Sequence, residues 1–273
     1  MATEIRRQQG LSKNIADLQA SVSSTKKLNS PSQDPQAWVQ VSEIGRQQAQ
    51  QSAWKTNINY GNARAQKAEA NLGQINTLFS RAHELMVRAS SSTLNASDQA
   101  AIVAELQGIR QSNQEFLNEK DYQGVPVFDD ATPTLVPVAR GVNMDVVGTR
   151  QSVSDGIDVN GTPMTLDDIL AQAVAAVQST VPADRAASLT SLEKGLDHVI
   201  LNQSQQGIRG DRLDNASTSL TDIDQGLAER RSKLEDTDLT TALATIQSQL
   251  LSLEAAQSAF ARINRQTLFD LIN

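Results

Sequence analysis

The sequence predicts a mainly α-helical protein, a long coiled-coil helical rod with paired N- and C-terminal helices and a small β-containing insert. Apolar residues recur at alternating steps of three and four over most of the 273 residues, which is the heptad spacing of helices that pack side by side. Only 3% of the residues are aromatic, whereas large rings supply much of the buried area of a thick globular core. Prolines, glycines and short β-prone runs are concentrated between residues 121 and 165, which places the insert there.

The first helix is predicted over residues 3–28. Its apolar residues are Leu11, Ile15, Leu18, Val22 and Leu28. Steps of four, three and four place the first four on one stripe. Pro31 and Pro35 interrupt the helical pattern, since proline disfavours helix in the residue before it. Asp34 is well placed to cap the next helix, with Pro35 at its first position.

The second helix is predicted over residues 35–91 and carries the clearest heptad pattern in the chain. We call its apolar stripe the rod seam: Trp54, Ile58, Ala65, Leu72, Ile75, Phe79 and Met86. A strict period of 3.5 residues indicates a left-handed coiled-coil seam against a partner helix. A third helix is expected over residues 98–119, with Ser97 as its N-cap.

The β-containing insert follows, with strands expected at 125–128, 135–139, 142–147 and 157–159. Asn160 and Gly161 form a pair that is typical of a two-residue hairpin turn. A short helix is then predicted over residues 166–177, and a long one over 184–235.

The last helix is predicted over residues 239–271, after a break at 235–238. It carries apolar residues at Leu239, Leu243, Ile246, Leu250, Leu253, Phe260, Ile263 and Leu271, and all of these except Leu239 are predicted interface residues. Because no single helix can bury its own stripe, we predict that the stripes of the first and last helices form the assembly interface of the protein.

Composition excludes several classes of function. A formal net charge of −7 and a pI near 4.9 disfavour nucleic acid as a partner, since such binding rewards clusters of Lys and Arg. No run of about 18 apolar residues occurs, so we expect no membrane insertion. The chain has no Cys, which removes disulfides and cysteine-based metal sites or nucleophiles.

Nothing in the sequence predicts an enzyme, a metal site or a cofactor. The two histidines, His83 and His198, are far apart on separate helices and lack partners at helical spacing. The acidic pairs at 129–130 and 167–168 are interpreted as solvated charge and helix capping, because a glycosidase needs two carboxylates held across a cleft.

Five segments, in this order along the chain, resemble the bacterial flagellin family. Residues 18–35 resemble its leucine-spaced helix, basic pair and Asp-Pro step, and residues 82–89 resemble its Arg-Glu-Leu helix. Residues 121–128 resemble the Phe-Asn-Gly-Val turn before its β-rich part. Residues 207–213 resemble the C-terminal Gly-x-x-x-x-Arg-Leu helix, and residues 234–238 the Ile-Glu-Asp-x-Asp break.

The resemblance implies three parts of the chain and a role in motility. Residues 1–33 with 239–273 would form a terminal helical core domain, 34–123 with 184–238 a helical rod domain, and 124–183 a small outward insert. The implied function is a structural subunit of the flagellar filament that self-assembles through its terminal coiled-coil helices.

Two alternatives stay open. The step at residues 31–35 and the ending at 261–272 look more like the hook–filament junction protein, the hook-associated protein 3 branch of the family. A surface glycan-binding protein is a minor alternative; glycan sites favour aromatic platforms, and the insert offers only Phe128, with Tyr122 just before it.

The resemblance also implies partners and a location. We expect a homopolymer with other flagellin-family subunits, contact with hook-associated proteins, and a flagellar export chaperone. We expect export through the flagellar type III apparatus without a cleaved signal peptide, to the extracellular flagellum. Because the last predicted helix is about seven residues longer than the first, we expect the natural chain to begin upstream of Met1, or else a neighbouring subunit to cover the tip.

Overall fold

The structure is a computed structural model that describes residues 2–91 and 95–270, and the side chains of residues 3–91 and 95–262. The described residues form seven helices and four strands, and the predicted fold class is confirmed. The elements are α1 (Ala2–Ser24), α2 (Pro35–Ala89), α3 (Ala96–Leu117), β1 (Leu135–Ala139), β2 (Val142–Asp145), α4 (Arg150–Ser154), β3 (Ile157–Val159), β4 (Thr162–Met164), α5 (Leu166–Gln178), α6 (Pro182–Glu235) and α7 (Leu239–Asp270).

Side-chain caps determine where the helices begin. The Asp34 carboxylate accepts hydrogen bonds from the amides of residues 36 and 37 at 3.0 and 2.9 Å, as predicted for the start of α2. At the start of α5, Thr165 and Asp168 form a capping box. The prediction of Ser97 as the cap of α3 is wrong: Asn95 caps it, because its extended backbone lets its side chain accept from the Asp98 amide.

The first helix ends earlier than predicted. It stops at Ser24, and Thr25 has a φ of 59°. The reason is a competing set of hydrogen bonds, since the Thr25 carbonyl accepts from the amide of Thr237, in the break before α7. Leu28 therefore lies outside the helix, although its side chain is buried.

The insert contains two antiparallel hairpins. β1 pairs with β2 and β3 pairs with β4. The hairpin predicted at Asn160 and Gly161 is confirmed, and both residues have positive φ, 54° and 83°, as a type I′ turn requires. The strand predicted at 125–128 is wrong, because Pro126 has no amide to donate and the Val125 amide bonds to the Asp121 side chain.

Two smaller differences complete the insert. The strand predicted at 142–147 ends at Asp145. The sequence also did not predict the five-residue helix α4, which begins at a Thr149 cap. Strand β2 and helix α4 are too short for a periodic sequence pattern to define them.

The chain forms two compact units. One comprises Met1–Gln50 with Asp222–Asn273, and we call it the terminal unit; the other comprises Gln51–Thr221, and we call it the central unit. The central unit holds a continuous apolar core in which helices α2, α3, α5 and α6 and the hairpins take part. Its largest fully buried side chains include Phe79 and Phe128.

Gly195 marks the tightest approach in the central core. A Cβ at this position would lie 2.7 Å from a ring carbon of Phe79 and 3.3 Å from Ile169. Gly195→Ala should therefore lower the free energy of unfolding by about 1–2 kcal/mol, since overpacking outweighs the gain in helix propensity. The measurement is urea unfolding followed by circular dichroism.

Gly210→Ala is the matched control on the same helix. Nothing lies within 4 Å of a Cβ there, so alanine should raise stability by about 0.5–1 kcal/mol. Equal effects of the two substitutions would contradict the close contact of Gly195 with Phe79.

Candidate assembly interface

In the terminal unit, hydrogen bonds join the segment between α1 and α2 to the segment between α6 and α7. The Lys27 amide donates to the Glu235 carbonyl at 2.8 Å, and the Thr237 amide donates to the Thr25 carbonyl at 2.9 Å. The Lys26 ammonium and the Arg231 guanidinium both contact the Glu235 carboxylate. The end of α1 is thereby held beside the start of α7, so these two helices run antiparallel.

The Glu235 carboxylate is nearly buried at this junction, with a side-chain exposure of 11%. Burial alone would raise its pKa. The hydrogen bonds from Lys26 and Arg231 outweigh that effect and hold the pKa of Glu235 below its ordinary value. The junction between the breaks therefore keeps a charged, paired carboxylate near neutral pH.

Helices α1 and α7 pack against each other along a heptad seam. On α1, Ile15 is buried and Leu11, Leu18 and Val22 are half-buried. On α7 the positions turned away from water are Ala242, Ile246, Gln249, Leu253, Ala256 and Phe260. Their steps of four and three are those of a coiled coil.

The structure divides the predicted interface residues of α7 into two groups. Ile246, Leu253 and Phe260 belong to the seam, whereas Leu243 and Leu250 are 50% and 41% exposed. Leu239 and Leu251 are exposed as well, at 43% and 69%. We call Leu239, Leu243, Leu250 and Leu251 the outer leucine face. Four exposed leucines on one helix, uncovered by the described residues, are typical of a protein interaction surface.

Two predicted interface residues cannot be placed. The side chain of Ile263 and all of Leu271 lie outside the described residues. The participation of the whole set in assembly stays a prediction, since the single chain contains no partner.

The rod seam lies in the core of the central unit. Trp54 is partly buried against the core, and the other members are buried: Ile58, Ala65, Leu72, Ile75, Phe79 and Met86. These residues therefore hold one chain together, in contrast to the outer leucine face. Phe128 is also in this core, at 1% exposure, so it is not available as an aromatic platform for a glycan.

The two histidines make structural contacts. His83 lies 3.6 Å from Glu193, and a ring nitrogen of His198 lies 3.2 Å from a backbone carbonyl. Among the described residues, no group of three or more His, Cys, Asp or Glu side chains is placed to hold a metal ion. No helix in the described ranges is long and apolar enough to cross a membrane.

Arginine–aspartate pairs join the insert and α5 to the neighbouring helices, and sequence reasoning missed them. Asp129 pairs with Arg64 on α2, Asp145 with Arg209 on α6, and Asp167 with Arg110 on α3. The partners are more than 50 residues apart in sequence. No local pattern predicts such pairs, because they depend on how the elements pack.

Acid should destabilise the central unit through two of these pairs. Hydrogen bonds from Arg110 lower the pKa of Asp167, and hydrogen bonds from Arg209 lower the pKa of Asp145. Carboxyls with lowered pKa stabilise the folded state above their unfolded pKa of about 4 and lose that contribution as pH falls through the folded value. The urea midpoint should therefore fall below pH 4.

Asp167→Asn provides the control for this pH dependence. The variant should be less stable than the parent protein at pH 7, and the difference should shrink between pH 4 and pH 2. A difference that stays constant over that range would show that Asp167 does not contribute to acid unfolding.

Known proteins are similar to this chain in sequence and in fold. Residues 2–132 match the family model of the bacterial flagellin N-terminal helical region, and residues 189–272 match that of the bacterial flagellin C-terminal helical region. The flagellar hook-associated protein 3 of Escherichia coli strain K12 is 23% identical over 92% of this chain and 90% of its own length. A flagellin of Halalkalibacterium halodurans is 23% identical over 74% of this chain and 70% of its own.

A solved structure shows the same fold. The flagellar hook-associated protein 3 of Legionella pneumophila superposes with a TM-score of 0.64 at 12% identity, over 71% of this chain and 98% of that one. The two matched family models describe proteins that are structural and not enzymatic. The two family models together cover well over half of the residues, and the chain belongs to the bacterial flagellin family. It is a structural component of the bacterial flagellum that serves motility.

Proposed function

We propose that this chain is the junction protein between the flagellar hook and the filament, hook-associated protein 3. The observation that carries the proposal is the extent of the alignment. The relative of that name aligns with nearly the whole chain, whereas the flagellin relative aligns with about three quarters of it. The step at residues 31–35 and the ending at 261–272, where the sequence departs from flagellin, support the same choice.

The filament subunit is the second candidate. The sequence favours it through the turn at 121–128 and the break at 234–238, and the partial match to a flagellin supports it as well. We give the longer alignment more weight than these local matches, because the local matches point in both directions whereas the alignment with hook-associated protein 3 covers 92% of the chain.

The surface that we expect to drive assembly into the flagellum is the outer leucine face of the terminal unit. Covering the outer leucine face removes apolar side chains from water, which is the main driving force of protein association. We propose that other flagellar subunits provide this cover: copies of the same chain, flagellin-family subunits and hook-associated proteins. A flagellar export chaperone would cover the same leucines before export to the extracellular flagellum through the type III apparatus.

The three-part division of the chain is also a proposal. Residues 1–33 with 239–273 would contact neighbouring subunits as the terminal core domain. The rod domain would comprise 34–123 with 184–238, and the insert would comprise 124–183. The support for this division is that the exposed leucines of α7 lie in the first part, whereas the predicted seam of the second part is buried within the chain.

Immunogold electron microscopy of isolated flagella tests the proposed function. Antibodies against the central unit should label one narrow band at the boundary between hook and filament. A strain that lacks the gene provides the control for antibody specificity. Label along the entire filament would favour the filament subunit instead, and flagella without any label would contradict both candidates.

A further inference from the structure

A groove lies in the terminal unit between the first turns of α2 and the last turns of α6. Its volume is about 570 Å³, and its apolar lining comes from Val39, Ile44 and Leu234. Val39 is 65% exposed. The lining residues of α2 run from residue 39 to residue 47, which is about 12 Å of helix at 1.5 Å per residue.

The edge of the groove is positively charged on the α6 side. Arg230 and Lys233 line it, and neither side chain has an ion-pair partner among the described residues. The acid on the opposite side, Glu43, is already paired with Arg46. The groove therefore suits an apolar segment that carries a negative charge at its side.

The outer leucine face has matching dimensions and charge. Leu239, Leu243 and Leu250 lie within about 40° of one another around α7, given about 100° per residue. Leu243 and Leu250 lie about 10 Å apart along the helix, and this part of the face fits the length of the groove. Glu254 follows one turn after Leu250 on the same side of the helix, and this carboxylate has no ion-pair partner in the described part of the chain.

We propose that the outer leucine face of one copy docks into this groove on a second copy, with Glu254 beside Arg230 and Lys233 of that copy. This inference rests on the proposed function, because it names the surfaces through which two copies of a flagellar subunit contact each other. Because the two surfaces differ, the contact is head to tail. Such contacts repeat around a ring when the rotation closes, and along a helix when it does not.

Cysteine cross-linking tests the contact without background, because the chain contains no cysteine. The variant Gln40→Cys/Gln247→Cys places one thiol in the groove lining and one between the leucines of α7. Mild oxidation of isolated flagella should give a ladder of multiples of 29.5 kDa. Each single variant should remain monomeric, since a head-to-tail contact does not bring identical positions together.

Gln40→Cys/Ser252→Cys is the matched control. Ser252 is exposed on the other side of α7, so this pair should not form the ladder. Dimers from a single variant, or equal ladders from both pairs, would overturn the proposal. Antibody labelling along the whole filament would overturn the junction function and leave a positive cross-link intact, so the two failures are distinguishable.

If the cysteine variants do not enter flagella, exchanging the charges of Glu254 and Lys233 tests the proposed contact. Glu254→Lys should lower the amount of the chain in isolated flagella about two- to fivefold, the range expected for one partly exposed ion pair. Adding Lys233→Glu should restore it. If the double variant is no better than Glu254→Lys alone, the proposed contact is wrong.

Discussion

Asp129→Ala is expected to lower the free energy of unfolding of the central unit by about 3–5 kcal/mol, the largest effect that any single substitution discussed here should have. The Asp129 carboxylate accepts hydrogen bonds from Arg64 at 2.9 Å and from the amide and hydroxyl of Thr134 at 2.6 and 3.0 Å. The side chains of Arg64 and Asp129 are only 7% and 10% exposed. Alanine would leave the guanidinium buried without its counter-charge, which costs more than the pair itself contributes.

Asp130→Ala is the control, since it removes the same kind of side chain one residue later. Asp130 pairs with Arg150 at 2.9 Å, but its side chain is 69% exposed. Exposed ion pairs contribute about 0–1 kcal/mol, so the loss should be small. Both variants can be compared by urea unfolding at pH 7, where similar losses would contradict the buried role of Asp129.

A second variant separates the buried charge from simple disruption of packing. Arg64→Met/Asp129→Leu removes both charges and keeps most of the volume. Replacement of a buried ion pair by apolar side chains is often neutral or stabilising, so the double variant should recover much of the stability lost by Asp129→Ala. A double variant that is less stable than Asp129→Ala would show that the other contacts of Arg64, such as its hydrogen bond to the Pro126 carbonyl, matter more than its unpaired charge.

This pair illustrates what the sequence could and could not predict. Asp129 and Asp130 are adjacent and chemically identical, and the sequence offers no reason to treat them differently. The start of a helix can be predicted from the sequence, because a cap such as Asp34 binds amides only two or three residues away. Local signals therefore predicted nearly all the long helices, whereas the ion pairs depend on contacts between distant segments.

The terminal helices show a second limit of sequence reasoning. The heptad rule selects the most apolar stripe, and on α7 it selected Leu243 and Leu250 together with Ile246. In the single chain, the seam with α1 instead includes small or polar positions such as Ala242 and Gln249. The strongest apolar stripe of one chain can lie outside its own core when its partner is another molecule.

The choice within the family depended on information that local motifs do not carry. Five short segments were sufficient to recognise the flagellin family, and the family models confirm that recognition. Their details point in two directions, since the turn at 121–128 and the break at 234–238 favour a filament subunit and the residues at 31–35 favour the junction protein. The observation that favours the junction protein is the longer alignment with hook-associated protein 3, which covers 92% of this chain against 74% for the flagellin.

Leu250→Asp is expected to abolish incorporation into flagella while leaving the isolated chain folded. Leu250 is 41% exposed in the single chain, and substitutions at such positions usually change stability by about 0.5 kcal/mol or less. Once another subunit covers the outer leucine face, the new carboxylate must lose its water without a counter-charge, at a cost of several kcal/mol. At 1.4 kcal/mol per tenfold, affinity should fall at least about a hundredfold.

Two measurements distinguish this loss of assembly from a loss of folding. The amount of the variant in isolated flagella should fall below detection, whereas its thermal unfolding in solution should match that of the parent chain. Ser252→Asp is the matched control, because it introduces the same charge two residues later on the opposite side of α7. Incorporation should survive in the control, since that side of the helix is exposed and polar. If Leu250→Asp assembles normally, the outer leucine face is not covered by a neighbouring subunit. If it instead melts well below Ser252→Asp, Leu250 supports the fold of the terminal unit, and its exposure in the single chain has been misinterpreted.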